Sequence, residues 1–257
     1  MRSGDDPASA PVLVTGAARR IGRAIAERFA RDGRPVVLHG HTHSADTMAN
    51  VVRDIVSAGG RAASVLADLT DPVATESLVP RAAEFFGPPA LLVNNASVFE
   101  VDSALDFTID RLDRHWAVNL RAPVLLARAF AAALPESQHG SIINLIDQRV
   151  WRLTPQFFTY TLSKAALWTA TQTLAQAYAP RIRVNGVGPG PVLPNEALDP
   201  AGFEHEIRHV LLESAVPVSQ IVEAVLYLDG AKSVTGQMIA VDSGQHLAWR
   251  TRDVDVE

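Results

Sequence analysis

The sequence contains no cysteine among its 257 residues. This excludes disulfide bonds, zinc sites built on thiolates and a cysteine nucleophile. It also has no long apolar run: the longest, residues 123–134, contains Arg128, whereas a membrane span needs about 20 apolar residues. The N-terminal residues lack the apolar centre of a secretory signal. We therefore expect a cytoplasmic protein that does not enter a membrane.

An excess of basic residues is missing as well. The 23 Lys and Arg residues are outnumbered by 28 Asp and Glu residues, which gives a net charge of −5. This balance argues against nucleic acid or an anionic membrane surface as a partner. Hydrophobic residues make up 47% of the chain, which is enough for a large core that needs no covalent cross-link for stability. Length alone allows one domain or two.

Short apolar segments alternate with helical patterns along the chain. Strands are predicted at residues 12–14, 35–38, 63–67, 91–93, 141–146, 182–187 and 238–241. Helices are predicted at about 21–33, 44–58, 72–86, 109–134, 155–179 and 218–228, with Ser44 as the cap of the second. The strands are continuous Val/Ile/Leu runs, as in a parallel sheet that is covered on both faces.

This alternation predicts an α/β fold: a single-domain Rossmann fold with a doubly wound, seven-stranded parallel sheet over residues 11–249. Residues 1–10 are expected to form a disordered tail. Residues 189–219 contain several prolines and have loose periodicity. We expect them to be an irregular substrate loop that covers the ligand crevice.

A glycine-containing turn joins the first strand to the first helix. Glycines let the backbone approach a pyrophosphate, and the helix N-terminus offers N–H groups and a positive dipole end. A tight turn without a ligand is the simpler alternative, but the strand before and the helix after favour dinucleotide binding. The predicted cofactor-binding residues of this turn are Gly16, Arg19, Arg20, Ile21 and Gly22, with Arg20 in place of a middle glycine.

The end of the second strand indicates which dinucleotide is bound. NAD sites usually place an acid there for the ribose 2′-hydroxyl, whereas this chain has His39, His41 and His43 and no acid before Asp46. This favours NADP(H). The spacing of the histidines could instead suggest a metal site, but no carboxylate or cysteine ligand is near. Solvated loop histidines are the remaining interpretation.

Tyr160 and Lys164 are four residues apart in a predicted helix, so both project from one face. A lysine cation near the phenol lowers its pKa and makes tyrosine a usable acid or base near neutral pH. Such a pair occurs by chance in many helices. Together with the glycine turn, the Asn-Asn-Ala segment 94–96 and Asn119, it is much more specific.

With these motifs, residues from about 11 to 247 resemble the short-chain dehydrogenase/reductases. The resemblance implies an oxidoreductase in which Asn119, Tyr160 and Lys164 are catalytic and Lys164 also binds the nicotinamide ribose. It implies that Asn119 supports a water relay from the lysine to solvent. It also implies further cofactor contacts at Asp68, Leu69, Asn95, Ala96, Ser97, Pro189 and Gly190.

Asp147 stands where that family has a serine, 13 residues before the tyrosine. A carboxylate beside a developing alkoxide is unfavourable, so ordinary ketone reduction is disfavoured. Reduction of a C=N bond differs, because the nitrogen must gain a proton and a nearby acid helps. Alternatively, Asp147 merely caps the segment that follows.

Arg20, Asp147 and the pattern Asn95-Ala96-Ser97-x-Phe99 are similar to pteridine reductases and dihydromonapterin reductases. This resemblance implies NADPH as cofactor and a pterin stacked on Phe99, unless Phe99 is a core residue. The implied substrate-binding residues are Arg20, Ser97, Phe99, Asp147 and Tyr160. It further implies a homotetramer. The family's threonine just after Pro-Gly is absent from residues 191–194.

We therefore expect an NADPH-dependent reductase of a dihydropterin-like C=N bond, of the dihydrobiopterin, dihydromonapterin or dihydrofolate type. An NADP(H)-dependent reductase of a ketone or 3-oxoacyl group is the first alternative. A non-catalytic dinucleotide sensor is the second, but Asn119, Tyr160 and Lys164 argue against it because binding alone needs no proton donor. No metal is expected.

Overall fold

The structure is a computed structural model that describes residues 10–194 and 200–249. Within these ranges, seven strands form one parallel sheet, and eight α-helices pack around it. The strands are β1 Val12–Val14, β2 Val36–Gly40, β3 Ala62–Leu66, β4 Leu91–Asn94, β5 Gly140–Leu145, β6 Ile182–Pro189 and β7 Met238–Val241. The helices are α1 Arg20–Arg31, α2 Ala45–Ser57, α3 Pro72–Phe86, α4 Ile109–Trp116, α5 Ala122–Ala133, α6 Phe158–Tyr178, α7 Pro200–Arg208 and α8 Val218–Gly230.

The strand order is β3-β2-β1-β4-β5-β6-β7, and all six pairings between these strands are parallel. This confirms the predicted doubly wound α/β class. The order reverses between β1 and β4, and in such sheets ligands bind beyond the carboxyl ends of the strands at that switch point. The expected tail falls almost wholly on residues outside the described ranges.

Both faces of the sheet are buried, which explains why the strands are continuous apolar runs. On β1, Val12 and Val14 face a layer that includes Ile25 of α1 and Val225 of α8. Leu13 between them faces the opposite layer, with Phe130 of α5. Alternate residues of a strand point to opposite faces, so a polar residue at either position would be buried in a core.

The predicted helix at 109–134 is wrong as a single helix, because a π-helical turn at Ala117–Arg121 separates α4 from α5. Pro123 has no N–H with which to bond the carbonyl of Asn119 four residues earlier. The N–H of Ala122 donates instead to the oxygen of Ala117, five residues back. Asn119, one of the predicted catalytic residues, lies within this π-helical turn.

Two other predictions hold only in part. Ser44 is the N-cap residue of α2 as predicted, but its Oγ donates to the carbonyl of His41 and makes no capping hydrogen bond. The loop at 189–219 is not wholly irregular, since it contains α7. Among the described residues, no helix is both long and apolar enough to cross a membrane.

Candidate active site

The turn between β1 and α1 is fastened to the loop that follows β4. Thr15 Oγ1 accepts the backbone N–H groups of Asn95 and Ala96 at 3.0 Å each. The side-chain amide of Asn95 donates to the carbonyls of Thr15, at 2.9 Å, and Gly16, at 3.1 Å. The Asn-Asn-Ala segment predicted to matter here therefore braces the turn across the switch point.

Two glycines leave the space that a phosphate-binding turn requires. A Cβ on Gly22 would lie 2.4 Å from both Gly16 O and the Asn95 side-chain nitrogen. Gly16 has φ +63°, and its Cβ would lie 2.8 Å from the Cα of Ala96. Because the first N–H groups of a helix have no partner within it, this open cradle at the start of α1 fits a dinucleotide pyrophosphate.

Arg20, at the position of the missing middle glycine, adopts φ 55°. The left-handed region costs a residue with a Cβ about 1–2 kcal/mol. Its guanidinium donates to the carbonyls of Pro194 at 3.0 Å and Leu193 at 3.4 Å. Arg20 thus connects the turn to the start of the segment 189–219.

His39 is a buried part of β2 and not a solvated loop histidine. Its Nδ1 accepts the N–H of Gly16 at 3.3 Å, and its Nε2 lies 3.2 Å from the carbonyl of Ala67. One ring nitrogen accepts and the other donates, so the neutral imidazole satisfies both bonds. Burial lowers the pKa of His39 to about 4.

This pKa predicts acid sensitivity. The ordinary pKa of histidine is 6.5 and the pKa of folded His39 is about 4, so between these limits the unfolded chain binds a proton that the folded protein does not. Stability is therefore full above about pH 6.5 and is lost as the pH falls towards 4, by up to about 3 kcal/mol. Urea unfolding at pH 7.5 and pH 5 measures this loss. His39→Gln should flatten it, while His139→Gln, at an exposed position, should not; equal pH dependence in all three proteins would contradict the assignment.

His41 and His43 lie at the other end of the cradle, with their rings stacked at 4.9 Å. His41 Nε2 is 3.8 Å from Asp68 Oδ2. Asp68 accepts the N–H and hydroxyl of Thr70, both at 2.8 Å, and these bonds hold the pKa of Asp68 below its usual value. Two histidines and the carboxylate of Asp68 therefore lie beside the end of β2.

At the carboxyl end of β5, Asp147 and Tyr160 are in direct contact. The Tyr160 hydroxyl donates to Asp147 Oδ2 at 2.9 Å. Asp147 Oδ1 accepts the N–H of Arg149 at 2.8 Å and so caps the short turn that follows. The capping role considered for Asp147 is thus present on one oxygen, while the other contacts Tyr160; the role of Asp147 in the reaction stays a prediction.

Burial dominates the proton affinities of this pair. It raises the pKa of Asp147, against the opposing effect of the Arg149 cation. It also raises the pKa of Tyr160 well above its usual value, and the neighbouring Asp147 raises it further. The phenol therefore keeps its proton at neutral pH, and the carboxyl holds one more readily than an exposed aspartate.

The expected effect of Lys164 on the phenol is wrong for this arrangement. Its ammonium donates to the carbonyl of Leu145 at 2.7 Å and lies 5.7 Å from the centre of the Tyr160 ring. Burial lowers the pKa of Lys164 to about 8. Burial and the carboxylate of Asp147, which accepts a hydrogen bond from the Tyr160 hydroxyl, therefore determine the pKa of Tyr160.

Asn119 lies behind these groups and is fully buried. Its amide nitrogen donates to Val98 O at 2.9 Å and to Ser163 Oγ at 3.1 Å. Its oxygen accepts the N–H of Val98 at 2.9 Å and lies 3.1 Å from Ser97 Oγ. In this structure it fixes the loop after β4 against α6; its role in a water relay stays a prediction.

Phe99 belongs to an aromatic group beside Tyr160. Its ring stacks on Phe157 with centroids 4.5 Å apart and meets the Tyr160 ring edge-on at 4.6 Å. The Arg149 guanidinium lies 4.8 Å from the centre of the Phe157 ring. Phe99 lines the cavity, whereas Phe157 is buried behind it. Phe99 is thus a partly exposed platform and not a core residue.

These groups share one cavity of about 1350 Å³, larger than the pocket of a single small ligand. It is lined by all the predicted cofactor and substrate residues: Gly16, Arg19, Arg20, Ile21, Gly22, His41, His43, Asp68, Leu69, Asn95, Ala96, Ser97, Phe99, Asp147, Tyr160, Lys164, Pro189 and Gly190. The cavity therefore runs from the glycine-containing turn between β1 and α1 to Tyr160 and has room for a dinucleotide and a second ligand.

Sequence reasoning missed several polar residues of this cavity, among them Arg149, Glu206 and Gln245. Arg149 Nη2 lies 3.6 Å from Glu206 Oε1 on α7. The side-chain amide of Gln245 donates to the same oxygen at 2.7 Å. These residues come from distant segments and carry no spacing signal; the position of Arg149 two residues after Asp147 was the one available hint.

Comparisons with known proteins agree with this architecture. A family described as enoyl-(acyl carrier protein) reductase matches residues 16–246. The FolM alternative dihydrofolate reductase 1 of Brucella canis, crystallised with NADP, is 50% identical with a TM-score of 0.92, covering 96% of this chain and 98% of that one.

Two further relatives are less similar. A short chain dehydrogenase from Burkholderia cenocepacia, in complex with NADP, is 33% identical with a TM-score of 0.86, over 93% of this chain and 98% of that one. The dihydromonapterin reductase of Citrobacter koseri is 28% identical over 92% of this chain and 97% of its own length. The resemblance found in the sequence is confirmed: the chain belongs to the short-chain dehydrogenase/reductase family of oxidoreductases.

Proposed function

We propose that this protein is an NADPH-dependent reductase of a dihydropterin-like C=N bond. The observation that carries the proposal is the contact between Asp147 and Tyr160 at 2.9 Å. Reducing a C=N bond adds a hydride to carbon and a proton to nitrogen. When bound, NADPH supplies the hydride, and the protein supplies the proton.

Tyr160 is the proton donor in this proposal. Its raised pKa keeps the phenol protonated, and Asp147 accepts its hydrogen bond. As a carboxylate, Asp147 stabilises the positive charge that a protonated imine carries, and burial raises its pKa above the usual range. The same carboxylate would oppose the negative charge on the oxygen of a reacting ketone.

The cofactor residues proposed are those of the glycine turn, the end of β2 and the loops after β3, β4 and β6. The relatives crystallised with NADP support NADP(H) over NAD(H). So does the position of His41, which stands where an acid would repel a 2′-phosphate. Lys164 is proposed to hold the nicotinamide ribose.

The pterin assignment is supported by the FolM alternative dihydrofolate reductase and the dihydromonapterin reductase among the relatives. Phe99, as a partly exposed ring between Phe157 and the cavity, offers a stacking surface for a flat heterocycle. Arg20 and Ser97 are proposed to contact the substrate. A homotetramer in the cytoplasm completes the proposal.

His41→Asp tests the cofactor preference. The new carboxylate should raise the dissociation constant for NADPH by about 10- to 100-fold through repulsion of the 2′-phosphate and should spare NADH. Fluorescence titration with both nucleotides measures this. His139→Asp makes the same charge change at an exposed position elsewhere, so an equal loss there would remove His41 from the phosphate site.

A substrate panel tests the reaction. Purified protein with NADPH is offered dihydromonapterin, dihydrobiopterin, dihydrofolate and a set of ketones and 3-oxoacyl thioesters, and loss of nicotinamide absorbance is followed. Turnover should be fastest with a dihydropterin. Turnover confined to ketones or thioesters would favour the carbonyl reductase, and NADPH binding without any turnover would favour the sensor.

A further inference from the structure

Behind Tyr160 lies a buried polar cluster that none of the proposed steps uses. It consists of Asp102, His115 and Thr159, whose exposed fractions are 3%, 0% and 0%. In the part of the chain that the structure describes, the cavity is lined by none of the three. Buried polar groups are costly unless fully hydrogen-bonded, so the bonds within this cluster show what it holds in place.

Asp102 fastens the start of α6 from a distant loop. Its Oδ1 accepts the N–H of Thr159 at 3.1 Å, and its Oδ2 accepts the Thr159 hydroxyl. Its backbone carbonyl accepts the N–H of Phe157 at 2.8 Å. The carboxylate therefore caps the helix one residue before Tyr160.

His115 completes the cluster from α4. Because the single proton of the Thr159 hydroxyl goes to Asp102, the hydroxyl must accept from His115 Nδ1, which lies 2.8 Å away. His115 Nε2 is then unprotonated and accepts the N–H of Glu100 at 3.3 Å. Only one placement of the protons satisfies every hydrogen bond of the cluster, and in it His115 is neutral.

Together these bonds join two segments that meet at the site. One is the loop 97–103, which carries Phe99, and the other is residues 157–160, which carry Tyr160. Phe157 lies between them at φ 56°, unusual for a bulky residue, and stacks on Phe99. The His115 ring meets the Tyr160 ring at 5.9 Å.

We propose that Asp102, His115 and Thr159 are positioning residues that set the Tyr160 hydroxyl relative to the Phe99 platform. They contact neither substrate nor cofactor and act through the two segments that they join. The kinetic readout of this inference rests on the proposed dihydropterin reductase function. A displacement of about 1 Å at a reacting group can cost about 100-fold in rate.

Thr159→Val tests the inference, because valine keeps the shape and removes the hydroxyl. The kcat for a dihydropterin should fall by about 10- to 100-fold and KM should rise, while the NADPH dissociation constant stays within about twofold because the phosphate turn is remote. Thr159→Ser keeps the hydroxyl and should restore kcat to within about threefold. Thr169→Val, which removes an exposed hydroxyl bonded within the same helix, is the matched control.

Amide hydrogen exchange provides a readout that needs no substrate. Thr159→Val should accelerate exchange in both 97–103 and 157–161, whereas Thr169→Val should leave both segments protected. If valine prevents folding, Thr159→Ala leaves room for a water molecule to take the place of the hydroxyl. The same kinetic and exchange measurements then apply to the alanine variant.

Wild-type kcat and KM per folded Thr159→Val or Thr159→Ala molecule would overturn the inference. So would faster exchange confined to one of the two segments, since the cluster would then not couple them. If the wild-type protein itself does not reduce dihydropterins, the proposed function fails and the exchange experiment alone decides the inference.

Discussion

Replacing Tyr160 by Phe is expected to lower dihydropterin turnover by about 10²- to 10⁴-fold. The variant loses the hydroxyl that donates to Asp147 Oδ2 and keeps the ring that meets Phe99 edge-on. The protein should fold, and NADPH should bind with nearly unchanged affinity. Steady-state kinetics together with a nucleotide titration separate the two effects.

Tyr178→Phe is the matched control for this change. Tyr178 lies at the C-terminal end of the same helix and packs against the apolar layer with α3 and α5. Its hydroxyl should be dispensable for turnover. If Tyr160→Phe retained wild-type turnover, Tyr160 would not be the proton donor, and Asp147 would have to protonate the substrate directly.

Replacing Asp147 is expected to have the second largest effect. Asp147→Asn keeps the size and the cap on the Arg149 N–H but removes the negative charge, so dihydropterin turnover should fall by about 10²-fold or more. Asp147→Ser restores the residue usual in the family. It should lose dihydropterin turnover and gain activity on ketones, because a hydroxyl can donate to the carbonyl oxygen.

The pH profile separates a charge-stabilising carboxylate from a cap. Burial raises the pKa of Asp147, so its carboxylate is present above that pKa and is lost as the pH falls through it. Wild-type dihydropterin turnover should therefore decline on the acid side, because a protonated Asp147 no longer stabilises the positive charge of the imine, and this limb should be absent from Asp147→Asn. Asp110→Asn, on the exposed face of α4, should keep the wild-type profile; an unchanged profile in Asp147→Asn would leave Asp147 with the capping role alone.

Much of the fold was predictable because the local signals agree with the tertiary structure. The apolar runs of β1 and β7 and the Pro72 start of α3 have the predicted bounds. The π-helical turn at Asn119 could not be predicted from the sequence. Its cause is the missing N–H of Pro123, and a proline at that position is equally typical of the first turn of a new helix.

The candidate site was predictable where it consists of motifs at fixed spacing. Tyr160, Lys164 and the glycines of the turn share one cavity as expected. The effect of Lys164 on the pKa of Tyr160 could not be predicted, because it depends on which hydrogen-bond acceptor the ammonium reaches in the folded protein. The cluster of Asp102, His115 and Thr159 could not be predicted either. Its hydrogen bonds join residues that are separated by 44 and by 57 positions in the sequence.

Isotope transfer tests the central claim most directly. Purified protein is given NADPH carrying deuterium at both C4 positions together with a 7,8-dihydropterin, and the pterin product is analysed by mass spectrometry and NMR. The account predicts a tetrahydropterin with one deuterium on the carbon of the former C=N bond, formed by the wild type and at a greatly reduced rate by Tyr160→Phe. Unlabelled dihydropterin recovered intact, from a protein that transfers deuterium to ketones under the same conditions, would contradict it.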